Sequence, residues 1–224
     1  MMDTDEDSLD SFIPDFSGDD FADVKWIQEK RKTEAEFRKM MNDSIKIVAD
    51  TFNAKESSHR NLKHFLLHKS VHIPFIIHSY QGRWKNRSIY FCVFEYESSV
   101  HAGRVHNVGS NYYFAGMIEL DRTYPHTMAQ PETIALKIED LFTRLDTDFE
   151  HAKKFSRKFY LITKDEPLLE MLFLNKDLDR LAVFNTAEFE LKDKQCYFRA
   201  SRKPVSLDEA EEFADLAKTL LEVI

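Results

Sequence analysis

Glycine is thinly supplied in this chain: Gly18, Gly82, Gly103, Gly109 and Gly116 are all there are in 224 residues. A loop that cradles phosphate needs clustered glycines, because only a residue without a Cβ lets the backbone approach so closely in unusual conformations. Neither GxGxxG nor GxxxxGK(S/T) occurs, which argues against a Rossmann or P-loop enzyme. Cysteine is rarer still, with only Cys92 and Cys196. Two cysteines are too few for a disulfide scaffold, and each lies inside an expected strand, where a free thiol commonly behaves as a small buried hydrophobe. No window approaches 18 uninterrupted apolar residues, so no integral membrane segment is expected. The N-terminus lacks a basic-then-apolar signal pattern, and a cytoplasmic location is the expectation.

Positive charge is also in deficit. The formal net charge is -8 at pH 7, which opposes non-specific attraction to phosphate backbones. Local clusters run the other way at Arg83, Lys85 and Arg87, and at Lys153, Lys154, Arg157 and Lys158. No zinc-finger, RNP or helix-turn-helix pattern accompanies them, so no nucleic acid partner is expected.

What is present is a core. Hydrophobic residues make up 43% and charged residues 31%, with 19 phenylalanines, and the aromatics concentrate in strand-like segments. Residues 1–23 form an acidic leader in which Phe12, Ile13, Phe16 and Phe21 are interleaved with Asp and Glu, a composition that favours disorder or loose docking. Residues 24–72 read as a helical segment. Phe37, Met41, Ile45, Val48 and Phe52 give its long helix one apolar stripe. The first half of that helix, near Gln28–Glu36, is charged and should be exposed or meet another chain. Ser57 or Ser58 can cap a second helix carrying Leu62, Phe65 and Leu66 inward.

Residues 73–224 read as an α+β domain. Phe75–Tyr80 and Ser88–Tyr96 make a hairpin around Gly82, and Ile89–Phe94 is apolar on both faces, as a strand covered on both sides must be. A third strand is expected near Tyr112–Leu120, after a loop carrying Gly103 and Gly109. Pro125 and Pro131 lead into a helix with Ile134, Ile138, Leu141, Phe142 and Leu145. A strand is expected from Phe155 to Thr163, then a helix capped by Asp165. Glu188–Leu191 and Cys196–Ala200 form a second hairpin across Lys192-Asp193-Lys194, with Phe189 and Leu191 on one face. Ser206 and Glu209 have capping-box spacing for a last helix, whose stripe is Ala210, Phe213, Ala214, Ala217, Leu221 and Ile224. The expected fold is therefore an antiparallel sheet of two hairpins plus further strands packed against helices, with an N-terminal helical segment.

The run Tyr80-Gln81-Gly82-Arg83-Trp84-Lys85-Asn86-Arg87, followed by Phe91-Cys92-Val93-Phe94-Glu95-Tyr96, resembles a family of bacterial domains of unknown function. There a short glycine-containing turn precedes a strand ending in an aromatic-acid-aromatic pattern. The strand around Met117–Leu120, the segment with Phe149, Phe155 and Phe159, and the helix after Asp165 are similar too. The resemblance spans roughly residues 75–202. Members often follow two membrane-spanning helices, and a charged helix stands in their place here. The resemblance implies the fold class and supplies no catalytic residue.

Histidine spacing is the best candidate for chemistry. His64 and His68, four apart on an expected helix, would share a face, as metal ligation requires, with His59 and His72 close by. Phe65 stands where the Glu of an HExxH motif would be, so the metalloprotease arrangement is missing. His101 and His106 flank Gly103 in a loop. Glu95 with Glu97, and Glu119 with Asp121, share strand faces near strand ends, where solvated carboxylates are ordinary. GxSxG is absent, and the apolar run around Cys92 disfavours a thiolate. These readings point to a non-catalytic binding or protein-interaction domain with no cofactor, whose N-terminal helix would serve a protein partner or self-association. The alternative is a metal-dependent enzyme or sensor using His64 and His68.

Overall fold

Alternation along the aromatic strands sorts their side chains onto two faces of one sheet, and both faces are covered. The computed structural model of the chain describes residues 20–62, 64–69, 75–102, 105–131 and 149–224. It is an α+β arrangement with a six-stranded antiparallel sheet. Helix α1 (Asp20–Phe52) is followed by a short β1 (Lys55–Glu56) and a single-turn α2 (Leu66–Lys69). Strands β2 (Phe75–Trp84), β3 (Arg87–Ala102) and β4 (Val105–Pro131) come next. After them run α3 (Lys153–Ser156), β5 (Phe159–Thr163), α4 (Glu166–Phe173), a 3-10 helix (Leu178–Val183), β6 (Glu188–Arg199) and α5 (Leu207–Val223). The chain divides into two units, residues 1–39 and 40–224. The first contains most of α1, with Lys32 placed 4.0 Å from Glu36 one turn on. All that follows concerns the second. No helix among the described residues is long and apolar enough to cross a membrane.

The expected β2–β3 hairpin is present, but it turns at Lys85 (φ 55°) with Trp84 paired to Arg87, so Gly82 lies inside β2, paired with Ile89, rather than in the turn. β3 and β4 form a second, longer hairpin, in register from Ile89↔Ile118 to Ala102↔Val105. Within β6 the chain reverses at Asp193 (φ 55°). Its two arms pair with different stretches of β4: Gln195–Phe198 with Gly116–Glu119, and Phe189–Leu191 with Thr127–Ala129. Glu188 and Arg199, at opposite ends of β6, meet in an ion pair, so the arms lie side by side as the expected hairpin requires. β5 completes the sheet on the other edge of β4, at Thr127–Pro131. Pro125 falls between Tyr124 and Thr127, where the β4–β6 ladder shifts register and a missing N–H breaks no regular bond.

The first sheet face carries the main core. Phe91, Val93, Phe114, Ile118, Phe189, Leu191, Cys196 and Phe198 pack there against Ile45, Val48 and Phe52 of α1 and against Phe213, Ala214, Ala217 and Leu221 of α5. Phe213 stacks on Phe198 at 5.0 Å and on Phe114 at 5.3 Å. The second face carries Tyr90, Cys92, Phe94, Ala115, Met117, Met128, Ile162 and Tyr197, beneath Leu62, Phe65 and Leu67. Each fully buried side chain of this size contributes about 1.5–3 kcal/mol.

Several sequence expectations need correction. The stretch after Ser57 is not a continuous helix: among its described residues only Leu66–Lys69 is helical. The physical reason is that its backbone amides bond the sheet instead, Arg60 N–H donating to the Tyr90 hydroxyl (3.1 Å) and Leu67 N–H to Glu190 (2.9 Å). Phe155 belongs to α3, and the strand starts at Phe159. The third strand begins at Val105 and runs on to Pro131, so Gly109 is part of it. Ser206 caps α5 by accepting from Glu209 N–H at 3.2 Å, but the return half of the capping box is absent. The Glu209 carboxylate bonds the Ser201 hydroxyl and lies 3.5 Å from Lys203. Asp165 caps α4 as expected, accepting from Leu168 N–H at 3.1 Å. The leader up to residue 19, the whole of the helix expected at 134–145, Gly103 and His72 lie outside the described residues.

Candidate functional site

Glu188 and Glu190 alternate with Phe189 and Leu191, so both carboxylates point away from the main core onto the second face. Tyr197 and Arg199 on the other arm of β6 share that face. A sheet covered on both sides seals them all: Glu188, Glu190 and Tyr197 are fully buried and Arg199 is 2% exposed. Burial of charge this deep is tolerated only with partners. Glu188 has two, Arg199 and Arg202, the second at 2.8 Å. Glu190 accepts from Leu67 N–H and lies 2.7 Å from Nε2 of His126.

Gln130 follows Ala129, which pairs with Phe189, and so lies beside Glu188 on the adjacent strand. Neither end of its buried amide has a hydrogen-bond partner among the described residues, and the same holds for the Tyr197 hydroxyl and Arg199 Nε. Burial pushes the Tyr197 phenol well above its ordinary pKa. A carboxylate holding an imidazole, as Glu190 holds His126, is the arrangement that orients a general base. Here it also serves attachment. The Glu190 carboxylate grips the backbone of the segment lying over the sheet.

The rim of that covering segment is tied down as well. Arg60 pairs with Glu119 at 2.9 Å and lies over the Tyr90 ring at 5.6 Å. His64 Nε2 is 2.9 Å from Gln195 Oε1, and Lys192 donates to the His64 carbonyl at 3.2 Å. His68 is buried edge-on to Phe94 (6.0 Å) and Tyr197 (5.9 Å). His64 and His68 thus flank the start of α2, one at the rim and one inside. Among the described residues no three His, Cys, Asp or Glu side chains gather as a metal set. His59 is exposed, and His101 pairs across the β3–β4 hairpin with His106. Glu95 accepts from the Tyr112 hydroxyl at 3.2 Å, and Asp121 is exposed. Cys92 is free and buried, its thiol pushed up to about 12 by burial.

The two basic clusters divide sharply. Lys85 pairs with Glu222 and Arg87 donates to the Leu221 carbonyl, so these two residues of the first cluster clamp the last turn of α5, while Arg83 is exposed. The second cluster, on α3, is open. Lys153, Lys154, Arg157 and Lys158 are exposed and have no ion-pair partner among the described residues. Beside them the 3-10 helix turns Leu178 and Leu181 inward, which leaves Val183 outward at 71% exposure. Met171 and Leu174, in and just after α4, are 65% and 62% exposed.

The buried acids were missed in the sequence because polar residues alternating with apolar ones read as a solvated strand face. The available signal was Ile89–Phe94, whose two apolar faces require a sheet covered on both sides. Comparison with family models, with curated proteins and with solved structures gives no match, so the resemblance to the bacterial domain family rests on its own residues.

Proposed function

We propose that the chain is a non-catalytic protein-interaction domain working in the cytoplasm. The observation that carries this reading is its exposed apolar excess: Met171 and Leu174 stand 65% and 62% open to solvent at the end of α4, and Val183 stands 71% open on the 3-10 helix, whose neighbour α3 carries unpaired cations. Exposed apolar surface rimmed by polar residues marks contact sites. The groups suited to acid–base chemistry, Glu188, Glu190 and His126, are instead consumed in holding the second face together. Two buried free thiols fit a reducing compartment.

The competing reading is a metal-dependent enzyme or sensor using His64 and His68. Native mass spectrometry of the untagged full chain, with metal analysis of the same sample, separates them. The interaction domain is expected at the bare protein mass. A stoichiometric divalent ion that is lost in the His64→Ala/His68→Ala variant would overturn it, as would a retained small molecule.

A further inference from the structure

A depression of about 340 Å³ lies between α3 and the 3-10 helix, lined by Lys154, Arg157, Lys158, Asp179, Ala182 and Val183. Its lining sets Ala182 and Val183 beside three cations. Asp179 is the one acid in that lining, and its Oδ1 is occupied by the backbone amides of Lys154 (2.9 Å) and Phe155 (3.0 Å). Arg180, next in sequence, turns away to Glu222 at 2.7 Å. Lys154, Arg157 and Lys158 are therefore left as an unneutralised rim around Ala182 and Val183. The volume is at the low end of small-molecule sites, which run from about 300 to 1,000 Å³, and suits a single large side chain.

Resting on the interaction reading above, we propose that this depression docks an acidic linear peptide segment that carries an aromatic side chain, the ring entering over Val183 and the flanking carboxylates meeting Lys154, Arg157 and Lys158. Charge decides among the polyanions that such a rim could meet. Attraction from three cations acts within a Debye length of about 8–10 Å, which a short peptide occupies entirely. A nucleic acid duplex or an anionic membrane extends past the patch and meets a chain whose net charge is -8. Ala182 and Val183 also have nothing to offer a phosphate, whereas they match a ring. A segment of the required chemistry is written in the chain itself: residues 3–23 carry Phe12, Phe16 and Phe21 among nine acids before the first basic residue.

The test is fluorescence anisotropy of a labelled synthetic peptide of residues 3–23 titrated with full-length protein, against a peptide in which Phe12, Phe16 and Phe21 are replaced by serine. Saturable binding is expected, weakened at least about tenfold by Lys154→Glu/Lys158→Glu, by Val183→Asp and by the serine peptide, and weakened by salt. All three protein positions are exposed or rim residues, and circular dichroism should show each variant folded. Binding that survives Lys154→Glu/Lys158→Glu, or equal binding of the serine peptide, overturns the site. So does retention on phosphatidylserine vesicles or a DNA duplex that the same variants abolish while the peptide fails to bind. Failure of the peptide with the protein still at its bare mass removes this docking site alone, whereas a bound metal or small molecule removes the interaction reading beneath it.

Discussion

The ring of Phe198 occupies the space a side chain at position 116 would need: a Cβ on Gly116 would stand 2.2 Å from its Cζ. Gly116 is the direct partner of Phe198 across β4 and β6, and of Phe91 across β3 and β4. The ring lies flat over the glycine because Phe213 stacks on its other side at 5.0 Å. Gly116→Ala should therefore destabilise the protein by about 1–3 kcal/mol in urea unfolding, through overpacking. The cost should shrink in a Phe198→Ala background, where the ring is gone. Independent effects of the two changes would contradict the contact.

The pair Glu188–Arg199 makes a sharper case. Arg199→Met leaves a fully buried carboxylate with only the half-exposed Arg202, and should cost about 3–5 kcal/mol. Replacing both partners, as Glu188→Leu/Arg199→Met, should cost much less than the two single changes added together. A double-mutant cycle from equilibrium urea unfolding measures this; additivity would show that the pair is not coupled.

Thiol chemistry reports on the seal of both sheet faces. Burial holds the Cys92 thiol up at about 12 and raises Cys196 as well. Neither should react with a disulfide reagent at pH 8 in the native protein, and both should react once urea unfolds it. Rapid labelling of the native chain at either position would mean that its face opens.

Glu222 supplies a pH dependence. Hydrogen bonds from Arg180 and Lys85 hold its carboxyl down at about 2, against an ordinary 4.5. A depressed carboxyl binds its proton more readily in the unfolded chain. Its contribution to stability is thus present above about pH 4.5 and is lost as the pH falls toward 2. Urea midpoints across that window should fall less steeply in Arg180→Ala/Lys85→Ala than in the parent, and identical slopes would remove Glu222 from the acid response.

Much of the architecture was legible from local signals. The caps at Asp165 and Ser206, the stripe of α5 and the reversal at Asp193 are each fixed by residues close in sequence, and the structure has all of them. The segment around His64 was not legible, because its conformation is set by distant partners. Leu67 N–H is satisfied by Glu190 and Arg60 N–H by Tyr90, and nothing in the local pattern announces either bond. The cation cluster on α3 was visible as charge, but its setting was not. Only the 3-10 turn that brings Ala182 and Val183 beside Lys154 and Lys158 gives it apolar neighbours.

The insertion of β6 between two stretches of β4 has a consequence for the order of assembly. β3 can zip onto β4 as soon as both are made, since one hairpin joins them. The opposite edge of β4 stays unpaired from Gly116 to Ala129 until β6 arrives, far later in the chain. Long-range closure of this kind is slow, and an open edge is a template for pairing with other chains. A nascent chain that has emerged only as far as α4 therefore carries its stickiest surface along the middle of its own sheet. The last sixth of the chain, which closes that gap and lays α5 over it, turns an aggregation hazard into a finished domain.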